Sequence, residues 1–179
     1  METTKTTGTS MKGKHFEKRV LNRLKSNFDD CIILNDVNIP GRRDKTAQID
    51  FILLHETGLY IMEAKGYSGT VTGSVDDVWW EKTLTDEAGN VFKRMVMSPM
   101  KQNEGHIRHI RKIVGEDVPL VSVAILSEKC DFSSICMTGA TTYVFHLKES
   151  MVRIREIMES SEEVIDSKNL EKFSKMLNP

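Results

Sequence analysis

Residues 47–69, AQIDFILLHETGLYIMEAKGYSG, are mostly apolar, yet they place Asp50, Glu63 and Lys65 inside two segments that otherwise read as buried strands. Residues two apart in a strand share a face, so Gln48 and Asp50 point with Ile52 and Leu54, while Glu63 and Lys65 point with Leu59 and Ile61. HETG between them reads as the turn, with Gly58 suited to a positive φ. Pairing Leu54 with Leu59 then sets Ile52 against Ile61, Asp50 against Glu63 and Gln48 against Lys65, and a two-residue turn of Glu56 and Thr57 gives the same register. A slip by one residue would expose Ile52 and Ile61 and scatter the polar groups over both faces, which favours this register. Two directly opposed carboxylates repel each other. A shared proton, the neighbouring Lys65 or a bound divalent cation would relieve them. Two carboxylates, Asp50 and Glu63, with positions left open for water and phosphate suit a catalytic Mg2+, and Lys65 beside it could polarise an attacking water or stabilise charge on a phosphorane. That is the chemistry of phosphodiester hydrolysis. The same residues also admit a plain Glu63–Lys65 ion pair near a strand end, with Asp50 as a turn-side carboxylate.

These strands need elements to hold them. Phe16, Val20 and Leu24 recur every four positions over residues 12–26, as one face of a helix requires. CIILNDVNI reads as a strand closed by Pro40 and Gly41, and RRDKT as a charged loop. TVTGSV and VWWEKTL form a further strand pair, in which Trp79 and Trp80 alternate, one towards the core and one towards an edge. DEAGN marks a turn before VFKRMV. Pro99 stands at the first position of a helix whose apolar stripe is Met100, Ile107, Ile110 and Val114. His106 and His109 on that helix read as surface histidines. PLVSVAILS is a near-continuous apolar strand, TTYVFHL another, and two amphipathic helices with an apolar stripe of Met151, Ile154, Ile157 and Met158 end the chain. This order predicts an α/β domain with a central mixed β-sheet flanked by helices, one domain over residues 11–179 behind a disordered tail over residues 1–10.

Asp50, a hairpin, then Glu63, Ala64 and Lys65 resemble the PD-(D/E)XK nuclease signature, with Ile49 where the proline would stand. QID followed by GLYIMEAKGYSG resembles more closely the nuclease-related domain, NERD. HFEKRVLNRL occupies the place of that family's N-terminal helix and its acidic residue, here Glu17, preceded by Phe16 where glycine is usual. ILNDV matches the next strand, SPMKQNEGHI the P-x-x-Q helix with Pro99 and Gln102, and VSVAIL the later apolar strand, so that most of residues 12–126 is covered. The resemblance implies a restriction-endonuclease-like fold, a nuclease acting on DNA, and dependence on Mg2+ or Mn2+. It implies Asp50 and Glu63 as metal ligands, Lys65 as the residue that orients or activates water, Gln48 and Glu17 as further catalytic groups, Glu17 in a metal- or water-positioning role, and Gln102 as a nucleic-acid contact.

Net charge is −1, so no global basic excess announces nucleic acid. The first 45 residues nevertheless carry ten Lys/Arg against six Asp/Glu, which puts the basic surface near the N-terminus. Arg42, Arg43 and Lys45, just before the Asp50 strand, are the first candidates for DNA contacts. Lys101, Arg108 and Lys112, on one face of the Pro99 helix, are the second, with a solvated polar face as the alternative. Cys31, Cys130 and Cys136 form no C-x-x-C pair and read as free thiols. The opening residues lack the apolar core of a signal peptide and no stretch reaches roughly 18 consecutive apolar residues, which predicts a cytoplasmic protein with no membrane partner. RNA as substrate and a homodimer are left open. Two other classes stay beside the nuclease: a catalytically inactive nucleic-acid-binding module and a protein-interaction module on the same fold.

Overall fold

The computed structural model describes residues 11–40 and 46–179. Five strands form the main sheet in the order β1-β2-β3-β7-β9, built from β1 (Ile32–Pro40), β2 (Thr46–His55), β3 (Gly58–Lys65), β7 (Leu120–Leu126) and β9 (Thr142–His146). The β1–β2 and β2–β3 pairs are antiparallel, and β3–β7 and β7–β9 are parallel, so the sheet is mixed. Every residue of β7 is buried, which is what its unbroken apolar run requires of a central strand covered on both faces.

Helices cover both faces. On one, α1 (Met11–Asn27) sets Phe16, Val20 and Leu24, and α3 (Leu147–Glu159) sets Met151, Ile154 and Met158, against Phe51, Leu53, Tyr60 and Met62. On the other, Ile110 of α2 (Pro99–Val114) and Leu170, Phe173 and Leu177 of α4 (Ser167–Leu177) pack on Ile52, Leu54, Leu59 and Ile61. The α2 helix starts where Ser98 caps the Lys101 N–H and Pro99 takes the first helical position.

A second sheet, in the order β6-β5-β4-β8, comprises β4 (Gly69–Ser74), β5 (Trp79–Thr85), β6 (Val91–Met97) and β8 (Cys130–Cys136). The last of these, CDFSSIC, carries too few apolar residues to announce itself. β4 and β8 pair in parallel, as β3 and β7 do, so two neighbouring strands leave the first sheet side by side and enter the second. Ser127 fastens that corner: its N–H donates to the Lys65 carbonyl at 3.2 Å and its hydroxyl to the Tyr67 carbonyl. Trp80 is fully buried and Trp79 half-exposed, as their alternation predicts. Among the described residues no helix is long and apolar enough to cross a membrane.

Candidate active site

The β2–β3 hairpin has the register that its turn implies, with Ile52 opposite Ile61, Leu54 opposite Leu59 and Gly58 closing the turn against His55. The ladder stops at Phe51–Met62, one rung short of Asp50 and Glu63. There a side chain replaces a main-chain group: Asp50 Oδ2 accepts the Ala64 N–H at 2.8 Å. The β1–β2 ladder also lacks the rung at Asp50, where the facing residue is Asp36 with φ 52°. Leu34 and Val37, three apart, enter the same core cluster, and so do Ile49 and Ile52. Strict alternation would send each pair to opposite faces. Both strands therefore turn over at Asp36 and Asp50 while their pairing count is unchanged, and Asp50 is left in a fork between β2 and β3.

Glu63 is 3% exposed. Its Oε1 accepts a charge-assisted bond from Lys65 Nζ, and its Oε2 lies 3.7 Å from His106 Nε2. That separation exceeds a hydrogen bond, and among the described residues His106 Nε2 is buried without a hydrogen-bond partner. Burial pushes the Glu63 carboxyl up, but His106 and Lys65 together outweigh it and hold the group below its ordinary range. Burial pulls the Lys65 ammonium down, and the Glu63 charge more than reverses this, so Lys65 stays a cation. Asp50 goes the other way: burial and then the Glu63 charge push it up to about 7, against the Ala64 N–H and Lys65. Two neighbouring carboxyls are thus driven apart in titration, a pattern typical of sites that do proton or metal chemistry.

Lys14, Glu17 and Lys18 of α1, with Asp36, Gln48 and Asp50, line one cavity of about 480 Å³. Burial and the nearby Asp36 raise the Glu17 carboxyl. Gln48 does not meet Lys65 as the extended register predicts. Because β2 and β3 have parted there, Gln48 stays paired with Asn38 of β1 and its Nε2 donates to Asp36 Oδ1 at 3.0 Å.

His106 corrects the expectation of a surface histidine. It is 8% exposed because α2 turns Met100, Asn103, His106 and Ile110 inward. Asn103 is fully buried, and its Nδ2 faces the Ile61 and Val123 carbonyls and the Ser122 hydroxyl, each at 3.1 Å. The signal was the spacing of 100, 103, 106 and 110, one helical stripe that contains two polar residues. Lys101 and Arg108 both pair with Glu104, and Gln102 is half-buried in the first turn of α2. Arg42, Arg43 and Lys45 lie outside the described residues.

Asp50 and Glu63 supply hard carboxylate oxygens, and burial and then the Glu63 charge suppress the ionisation of Asp50, so the pair fits a hard divalent cation that keeps part of its water shell. Among the described residues, one group of three ligand-type side chains lies within 4.8 Å of one another, and it is elsewhere: Asp30, Cys31 and His55. Its atoms are already engaged. Arg155 takes both Asp30 oxygens at 2.6 and 2.9 Å, burial pushes the Cys31 thiol up to about 12, and His55 Nδ1 meets the Thr57 hydroxyl at 2.9 Å.

Comparison with known proteins places a family match over this same ground. Residues 12–127 match the family described as nuclease-related domain, a span that contains α1, the fork, α2 and β7. A Bacillus anthracis protein named only as uncharacterized is 28% identical over 140 residues, covering 77% of this chain and 63% of its own length. The chain thus spans just under two thirds of that relative.

Proposed function

The chain belongs to the nuclease-related domain family, and on that footing we propose that it is a divalent-metal-dependent nuclease that hydrolyses phosphodiester bonds in DNA. The observation that carries this reading is the fork in the sheet, where the buried Asp50 accepts the Ala64 N–H beside a Glu63 that His106 and Lys65 together hold charged. Asp50 and Glu63 are the residues that would hold Mg2+ or Mn2+, and such an ion supplies Lewis-acid polarisation of the phosphoryl oxygen and an acidified water. The Ala64 N–H orients the Asp50 carboxylate, and Lys65 and His106 restrain Glu63 from two sides. Lys65 is held in its charged form, so it donates to water or to the charge building on phosphate oxygens and is not the base. Glu17, raised by burial at the cavity wall, is the group suited to take the proton of the attacking water.

Supercoiled plasmid and a labelled single strand incubated with Mg2+, Mn2+ or EDTA, beside Asp50→Asn and Lys65→Met, test the reading. Metal-dependent cleavage that both substitutions abolish is expected. Cleavage that survives EDTA, or that survives both substitutions, overturns it; retained binding without any cleavage establishes the inactive binding module instead.

A further inference from the structure

The β5–β6 hairpin carries a cation that the candidate active site does not use. Lys82, in the middle of β5, is 4% exposed, and among the described residues its charge meets no carboxylate. Its Nζ stands 4.9 Å from the centre of the Tyr67 ring. Directly opposite it on β6 is Arg94, of the same sign. Like charges directly opposed across two strands destabilise the pair, and a buried charge without a counter-ion costs more still. Burial, then Arg94, hold the Lys82 ammonium below its ordinary range. An apolar side chain of similar length would fill the place without these penalties.

The position of this pair is fixed relative to Lys65. Trp80, two residues before Lys82 and therefore on the same face, is locked into the core with Val71 and Met100. Further out along that face Leu84 pairs with Phe92, which is exposed. Tyr67 follows Lys65 by two residues; burial raises its hydroxyl's pKa, and the charges of Lys65, Glu63 and Arg94 all reach it. Gly69 holds β4 close against β5: a Cβ there would lie 2.2 Å from the Thr83 carbonyl oxygen, and its φ of 79° suits glycine. Tyr67 therefore lies between the candidate active site and two cations that pair with no anion among the described residues.

We propose that Lys82 and Arg94 form a phosphate-binding pair for the nucleic-acid strand, in which Arg94, exposed on β6, contacts a backbone phosphate next to the one presented to Asp50, Glu63 and Lys65, and the buried Lys82 opposite it adds its charge from beneath. Phosphate brings a counter-charge that the pair lacks among the described residues, and the hairpin face beyond it offers Phe92 to a base. This inference rests on the nuclease reading, and its test keeps the two separable. Binding of a labelled single strand is measured in EDTA over a range of salt for the parent chain, Lys82→Met and Arg94→Met, beside plasmid cleavage in Mg2+. Each substitution is expected to weaken binding about tenfold near 0.1 M salt and to flatten the plot of log K against log salt by about 0.7. Lys82→Met should also melt at a higher temperature than the parent, since it removes a buried charge. A Lys82→Met chain that melts differently yet keeps the parent's salt slope makes Lys82 structural only and overturns the proposal, as does a parent that binds no strand. Cleavage by the parent with unchanged slopes in both variants leaves the nuclease reading intact and sinks the pair. Flattened slopes with no cleavage by any chain do the opposite.

Discussion

Replacing Asp50 with Asn should make the metal-free protein more stable, and increasingly so as pH rises. The folded chain holds the Asp50 carboxyl at about 7 where the ordinary value is 3.8. Below the ordinary value both folded and unfolded chains carry the proton and the group contributes nothing. Between the two values the unfolded chain ionises while the folded one keeps its proton, so the cost of folding grows with pH and levels off above about 7. A shift of about 3 units corresponds to about 4 kcal/mol at about pH 8, and to about 2 kcal/mol at about pH 5.5. Asn keeps an oxygen that can accept the Ala64 N–H and lacks the charge, so the fork stays closed while the penalty disappears. Urea unfolding in EDTA should therefore show Asp50→Asn more stable than the parent, with a gap that widens by about 2 kcal/mol between about pH 5.5 and about pH 8. Adding Mg2+ or Mn2+ should stabilise the parent and leave the variant unmoved. An Asn variant no more stable than the parent at about pH 8, or a gap that does not depend on pH, would falsify the account of Asp50 as a carboxylate kept under electrostatic stress.

Lys65→Met removes the ammonium beside Glu63 and should lower cleavage by at least about 100-fold while leaving DNA affinity within a few-fold, as single-turnover rates against binding isotherms will reveal. His106→Ala takes away one of the two groups that hold Glu63 charged. It should raise the metal concentration needed for half-maximal stabilisation by about tenfold, read from melting temperature against Mn2+. Gly69→Ala forces a Cβ against the Thr83 carbonyl at a φ of 79°; a loss of about 2–4 kcal/mol in urea unfolding is expected, and an unchanged midpoint would refute the close approach.

The hairpin was legible because a two-residue turn and the apolar pairs Ile52–Ile61 and Leu54–Leu59 leave one register that buries both strands. Helix α1 and strand β7 were legible for similar reasons, one by its four-residue period and the other by its unbroken apolar run. The turnover at Asp36 and Asp50 was not, because it keeps the pairing count and changes only which face the residues enter. Gln48 went astray with it: a pattern of alternate residues assumes a ladder that continues, and here Asp50 ends it. His106 was missed because one histidine among charged neighbours looks solvated until the helix stripe is seen to run through Asn103. The division into two sheets depends on β3 and β7 leaving together, a long-range event that no local window contains.

Asn103 has a bearing on the rotational phase of α2. An apolar side chain in its place would tolerate a small rolling of the helix, since one hydrocarbon contact substitutes for another at little cost. The amide does not. Two carbonyl oxygens and a hydroxyl wait for its nitrogen at 3.1 Å, and only the nitrogen, not the oxygen, can satisfy carbonyls. A helix that advanced by one residue would rotate by roughly 100° and leave the Ile61 and Val123 carbonyls facing the wrong group. Asn103 thus works as an index pin between β3 and β7, and the angular error with which the imidazole three residues later arrives at Glu63 is set there and not at the imidazole itself.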